Sequence, residues 1–236
     1  MKREERHHLK ENDFATMLNR TGDGVRSHSR GVSVAAVLVA VALVLVGGYF
    51  FWRSNRQEKA GAMLADATAT LQAPVQPPAI GTPAVAGTFP NERARTEAAL
   101  PKLLAAADAF PSTSAGIQAR YLAASTLVEL ARYPEAIQRY QEIIDRDSKG
   151  LYGQTSRIGL ANAASLAGEH DRAITELQAM SGDTSGTIPA DAVLAQLARV
   201  YDRAGRTAEA TDTWKRIKNE FPESVYQQEA TQRSGN

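Results

Sequence analysis

The sequence contains no cysteine, which excludes disulfide bonds, thiol catalysis and metal sites built on cysteine ligands. It also lacks a surplus of charge, because 27 Lys and Arg residues stand against 26 Asp and Glu residues. We therefore expect no broad electrostatic attraction for nucleic acid. Aromatic residues make up only 6% of the chain, and an apolar content dominated by Ala, Leu, Val and Ile favours helices over sheets.

The motifs of common catalytic and cofactor sites are also missing. His170 is the only histidine beyond the N-terminal tail, and a single histidine gives no convincing Ser/His/Asp set. Gly22 and Gly24 lack the third glycine of a phosphate loop and follow no predicted strand. The adjacent His7 and His8 have no third metal ligand at a suitable spacing. We expect a protein that is not an enzyme and that holds no metal or cofactor.

Residues 32–52 form a run of 21 residues without a charge, bracketed by Arg30 and Arg53. A helix of this length is about 31 Å long, which matches the hydrocarbon core of a bilayer. Tyr49 and Trp52 lie at its end, where such rings sit at the level of the lipid headgroups. The run is longer than the apolar region of a signal peptide and follows a polar segment, so it predicts a retained transmembrane helix.

The charges around this helix bear on its orientation. Three Lys or Arg residues lie close to each end, but the polar tail 1–31 carries seven in all. The excess predicts a cytoplasmic tail and a translocated C-terminal part, although the local tie leaves a cytoplasm-facing C-terminal part open. Ala36 and Ala40 form a small-xxx-small pair, so a homo-oligomer through this helix is an alternative to a monomer.

Two segments of different character follow the apolar run. Apolar residues recur at helical spacing from Ala60 to Leu71, which predicts an amphipathic helix over 53–73. The stretch 74–91 holds five of the ten prolines of the chain, which predicts an extended, semi-rigid linker without a core. The pattern leaves open whether the amphipathic helix packs on the following domain or prolongs the membrane helix.

From residue 92 to residue 236 the chain repeats itself with a period of 37 residues. Two series of alanines keep this period, and each alanine of the first series is followed four residues later by a larger apolar residue. Because the two series keep the same period, we predict a pair of antiparallel helices per repeat, with the small residues where the two helices approach closely. The pairs are predicted to stack into an α-solenoid. The first series is Ala99, Ala136, Ala173 and Ala210, and the second is Ala124, Ala161 and Ala198.

The turns between these helices complete a family resemblance. Gly168 and Gly205 stand five residues before their alanines, where a helix C-cap is expected, and Ala131 takes that position in the first copy. With these features, Tyr133–Asp147 and Leu197–Pro222 resemble the tetratricopeptide repeat. The resemblance implies an all-α fold, in which one transmembrane helix precedes a tetratricopeptide-like solenoid.

The chain departs from the tetratricopeptide pattern in three ways. Its period is 37 residues instead of the usual 34, and the copy around Ala99 has no obvious first helix. Arg120 and Arg157 take positions that Trp or another apolar residue often holds.

The order of the segments carries a second resemblance. A short charged segment, His7–Ala15, one membrane span and a small repeat domain are similar to the bacterial ancillary subunit of the SecYEG translocon. This resemblance implies a single-pass protein of the inner membrane with a periplasmic repeat domain. It also implies translocon subunits and periplasmic chaperones as partners.

The concave surface of stacked helix pairs is formed mainly by their first helices, where residues that point away from the packing positions are candidates for partner contacts. Arg and Tyr are frequent interface anchors, although each candidate fits an ordinary exposed helix position as well. Their mixture predicts a polar peptide or a folded protein surface as the partner. The candidates are Gln118, Tyr121, Ser125, Glu129, Thr155, Ile158, Asn162, Arg199 and Arg203.

Together these patterns predict a non-catalytic, membrane-anchored platform for protein–protein interaction. The resemblance to the SecYEG ancillary subunit implies the role of an ancillary factor in protein translocation or in handover to periplasmic chaperones. The alternative is an envelope-assembly or cell-division adaptor with the same repeat domain.

Overall fold

The computed structural model describes residues 29–77, 85–182 and 187–235, with side chains of the first helix from Val37 onward. These ranges contain nine helices and no strand apart from one isolated bridge, which confirms the predicted all-α fold. His7, His8 and most of the predicted tail lie outside the described residues. The helices are α1 Ser29–Leu71, α2 Glu92–Ala109, α3 Ser114–Glu129, α4 Tyr133–Arg146, α5 Leu151–Leu166, α6 His170–Ser181, α7 Ala190–Arg203, α8 Thr207–Glu220 and α9 Gln227–Arg233.

The chain divides into two compact units, Met1–Asn55 and Arg56–Asn236. In the first unit, α1 exposes twelve large apolar side chains between Val37 and Trp52, each 49–75% accessible. A bilayer accommodates such a surface, whereas water does not. Among the described residues, α1 is the one helix that is long and apolar enough to cross a membrane, which indicates a single-pass anchor.

In the second unit, the last part of α1 packs against α2. Ala60 and Ala67 are at most 1% exposed, and Leu64 packs against the main core. Lys102 on α2 forms an ion pair of 2.9 Å with Asp66 on α1. The end of α1 therefore supplies the first helix of the first repeat, and the helix is also continuous with the apolar segment.

The described ends of the Pro-rich stretch are held together. The Phe89 amide donates to the Pro74 carbonyl at 3.0 Å, and the Gln76 amide donates to the Phe89 carbonyl at 2.8 Å. The stretch therefore closes a loop between α1 and α2. Its middle part, 78–84, lies outside the described residues.

Four helix pairs form the stack: the end of α1 with α2, α3 with α4, α5 with α6, and α7 with α8. The last three pairs follow the predicted period of 37 residues. The alanines of both predicted series are at most 1% exposed, because they stand where neighbouring helices approach closely. The larger residues four positions after the first series fill the space between the pairs and are at most 3% exposed. These larger residues are Leu103, Tyr140, Leu177 and Trp214.

The turn inside each later pair has the same geometry. Ala131, Gly168 and Gly205 all take a left-handed backbone conformation, with φ of 58°, 88° and 72°. In each turn the next amide donates to a carbonyl five residues back, as from Arg132 to Leu127 at 2.8 Å. This pattern is the Schellman cap, so the glycine spacing located the helix ends correctly.

One of the two arginines at apolar register positions is deeply buried. Arg120 is only 2% exposed and donates to the Ala107 carbonyl at 3.1 Å. Its guanidinium lies 3.0 Å from Glu142 and 3.6 Å from Asp108. Burial lowers the pKa of Arg120. Arg157, one period later, is paired with Glu176 on α6.

Candidate protein-binding surface

The nine candidate residues lie on α3, α5 and α7, the first helices of three consecutive pairs. Glu129 and Arg203 are exposed, and the other seven are half-buried. Ile158 packs against the main core, so part of its side chain belongs to the fold. Thr155 donates to the Leu151 carbonyl of its own helix at 2.9 Å.

The candidates do not form one cluster. Glu129 lines a separate cleft with residues of α2, including Glu92 and Arg93. Tyr121 and Ser125 belong to a tyrosine cluster described below, whereas Asn162 contacts Arg203, which lines a cleft with Arg199. The surface therefore has an aromatic part and a cationic part.

The aromatic part consists of three tyrosines from three helices. The ring of Tyr121 lies 5.8 Å from that of Tyr140 and 5.8 Å from that of Tyr152, measured between centroids. The Tyr140 hydroxyl is 3.0 Å from the Ser125 hydroxyl, and burial raises the pKa of Tyr140 to about 12. The backbone of α5 lies close to this ring, because a Cβ at Gly159 would come within 2.4 Å of it. Tyr140 is thus part of the core, while Tyr121 and Tyr152 remain half accessible.

The cationic part is a cleft of about 390 Å³ on α7 and α9. Three arginines and two carboxylates line it, and two of the arginines are paired. Arg199 forms a bidentate contact with Glu229 at 2.5 and 3.2 Å, and Arg233 lies 3.4 Å from Asp202. The lining residues are Arg199, Asp202, Arg203, Glu229 and Arg233.

Arg199 helps to hold α9 against the helix stack. Its guanidinium lies 6.0 Å from the ring centroid of Trp214 and 5.5 Å from that of Tyr226. The hydrogen bond between Arg199 and Glu229 raises the pKa of the arginine and lowers the pKa of the glutamate. Arg199 therefore stabilises the end of the helix stack.

Arg203 is differently placed. Its guanidinium donates to the side-chain oxygens of Asn162 at 3.2 Å and Ser165 at 3.3 Å, both on α5. Among the residues that the structure describes, no carboxylate lies within ion-pair distance of Arg203. The side chain is exposed, so part of its planar donor fork faces solvent.

His170 stands near this group, with Nδ1 3.3 Å from the Ser165 hydroxyl. Over the described ranges, no group of three His, Asp or Glu residues is arranged to hold a metal ion.

Sequence reasoning missed several residues of this surface. Tyr152 lies three residues before Thr155 and so shares its helix face, a spacing that could have identified it. Glu229 and Arg233 belong to α9, which had not been predicted as a separate helix. No signal in the sequence paired Glu229 with Arg199, because thirty residues separate them.

Comparison with known proteins supports the repeat class. A family described as "Tetratricopeptide repeat" matches residues 192–224, the end of the stack from α7 to α8. Two solved structures of nearly identical TPR-like repeats, from a Podosopora anserina kinesin light chain and a single-substitution variant of it, show a similar fold. Each has a TM-score of 0.55 and 14% sequence identity, and the alignment covers 75% of this chain and 84% of the other.

No curated protein matches this chain. The fold and the matched repeat thus define a tetratricopeptide-like helical-repeat protein, and one helix in the part of the chain that the structure describes is long and apolar enough to cross a membrane. Repeats of this class point to an interaction scaffold for other proteins.

Proposed function

We propose that this chain is a non-catalytic docking platform anchored in the bacterial inner membrane, with its repeat domain in the periplasm. It acts there as an ancillary factor of protein translocation, receiving translocon subunits and periplasmic chaperones. The observation that carries the proposal is the surface along α3, α5 and α7, where Tyr121, Thr155 and Arg203 keep accessible side chains. A stack of this kind offers an extended surface for a peptide or a protein.

The apolar part of α1 supports the location. A membrane anchor keeps the domain close to its partners, so weak contacts reach useful occupancy through a high effective concentration. The seven Lys and Arg residues of the tail favour a cytoplasmic N-terminus.

The test compares two threonine variants of the full chain in its native membrane. Thr155→Arg places a bulky charge on the surface of α5, whereas Thr175→Arg places the same charge on α6, in the second helix of that pair. At both positions the threonine hydroxyl donates to the carbonyl four residues back at 2.9 Å. Thr155 is half-buried and Thr175 is exposed, so circular dichroism must first show that both variants keep the helical fold.

Partners are cross-linked in cells and purified with the chain from mild detergent. We expect translocon subunits and periplasmic chaperones with the unchanged chain and with Thr175→Arg, and their loss with Thr155→Arg. Recovery of cell-division or cell-wall proteins instead would support the envelope adaptor. Equal recovery of translocon subunits with both variants would contradict the assignment of this surface.

A further inference from the structure

The two parts of the surface lie along one helix. Tyr152, Thr155 and Asn162 recur on α5 at spacings of three and seven residues, so they share one face of that helix. Tyr152 contacts Tyr121 on α3, and Asn162 accepts a hydrogen bond from Arg203 on α7. The face therefore has an aromatic end and a cationic end.

The distance between these ends fits a short peptide. Ten residues separate Tyr152 from Asn162, which corresponds to about 15 Å along the helix axis. An extended peptide advances about 3.3 Å per residue, so four to five of its residues would cover this length.

The charge of the cationic end selects the ligand group. Among the described residues, Arg199 and Arg233 have carboxylate partners, whereas Arg203 donates to the neutral side chains of Asn162 and Ser165. The cleft thus has one guanidinium whose charge no carboxylate of the described residues balances within ion-pair distance. A planar guanidinium fork matches the two oxygens of a carboxylate.

Asp202 and Glu229 also line this cleft. Their negative charges disfavour a doubly charged phosphate more strongly than a singly charged carboxylate. The aromatic end adds an apolar contact that suits a peptide side chain.

We infer that this face of α5 binds an extended acidic segment of a protein partner. One Asp or Glu side chain of the segment pairs with Arg203, and an apolar side chain four to five residues away rests on Tyr121 and Tyr152. This inference rests on the proposed function, because it names the chemistry of the partner at the same surface.

The test uses the full chain in detergent micelles and a displayed library of random octapeptides. The chain is used unchanged and with Arg203→Ala, Arg203→Glu or Thr155→Arg. Arg216→Ala is the control, because Arg216 is an exposed arginine of α8 that pairs with Glu220 of its own helix. One selected peptide is then titrated beside its Glu→Gln or Asp→Asn form.

We expect the unchanged chain and Arg216→Ala to select peptides with an acidic residue four to five positions from an apolar one. Arg203→Glu should instead select Lys or Arg at the acidic position. Loss of the charge from the titrated peptide, or Arg203→Ala, should weaken binding about tenfold, as expected for one charge-assisted contact.

Four results would overturn the inference. If Thr155→Arg abolishes binding but the selected peptides show no preference for Asp or Glu, the inference is wrong and the proposed docking surface still stands. An acidic preference that survives Arg203→Ala would place the carboxylate elsewhere, and release of the peptide by phosphatidylglycerol vesicles would identify a lipid headgroup as the ligand. If no peptide binds in a Thr155-dependent way, the docking surface itself fails together with the inference.

Discussion

At the scale of single residues, the helix caps give the clearest energetic test. Ala131 takes the left-handed conformation that Gly168 and Gly205 provide in the later repeats. A side chain with a Cβ pays about 1–2 kcal/mol for this conformation, whereas glycine adopts it readily.

We therefore predict that Ala131→Gly raises the free energy of unfolding by about 0.5–1 kcal/mol, after the larger entropy loss of glycine is subtracted. The reverse change, Gly168→Ala, should lower it by about 1 kcal/mol. A Cβ at Gly168 meets no atom within 4 Å, so the loss would come from the backbone alone. Chemical denaturation followed by circular dichroism measures the free energy of unfolding of both variants. If neither variant differed in stability from the unchanged chain, the cap geometry would be contradicted.

Single residues also show where prediction from sequence ends. The caps could be located, because the spacing of Gly168 and Gly205 from their alanines is a local signal. The burial of Arg120 could not be predicted from the sequence, since its partners Asp108 and Glu142 come from two other helices. A charged residue at an apolar position of the repeat therefore looks like a departure from the tetratricopeptide pattern until its counter-charges are known.

At the scale of helices, the 37-residue register makes a sharp prediction about packing. Ala173 is fully buried between helices, whereas Ala179 on the same helix α6 is exposed. Replacing Ala173 with Leu should overpack the pair and lower the free energy of unfolding by about 1–3 kcal/mol. Ala179→Leu is the matched control and should leave the melting temperature nearly unchanged, whereas equal effects at the two positions would argue against the register.

The docking of α9 should depend on pH. Its contact with Arg199 lowers the pKa of Glu229, and Arg233 contributes in the same direction. The stabilisation is therefore present above the ordinary glutamate pKa of about 4.3 and is lost as the pH falls through the lowered pKa of the folded state.

We predict that α9 loosens on acidification before the rest of the stack. Trp214 packs in the same apolar cluster as Ala230 of α9, so its fluorescence reports this event in a Trp52→Phe background. Glu229→Gln should weaken the docking at neutral pH and remove this acid transition. An unchanged transition in that variant would assign it to another group.

Two helices show why element prediction was incomplete. The first helix of the first repeat lies before the Pro-rich stretch, which lengthens the repeat and breaks the period. Helix α9 has only seven residues, too few for a periodic pattern to emerge. The other pairs were predictable, because two alanine series in phase fix which faces meet.

At the scale of the whole molecule, an exposed apolar helix and a stack of helix pairs occur in one chain. The apolar surface of α1 needs a bilayer, and the polar surface along α3, α5 and α7 is the one that we propose for a partner protein. Membrane topology decides which partners the repeat domain can meet, so it governs every further test of the proposed function.

The most direct measurement is therefore the side of the membrane on which the C-terminus lies. Alkaline phosphatase, which is active only in the periplasm, and green fluorescent protein, which folds when left in the cytoplasm, are each fused after Asn236 of the full chain. We predict phosphatase activity without fluorescence, and thus a periplasmic repeat domain. Fluorescence without phosphatase activity would contradict the proposed periplasmic location and would leave a membrane-tethered adaptor that faces the cytoplasm.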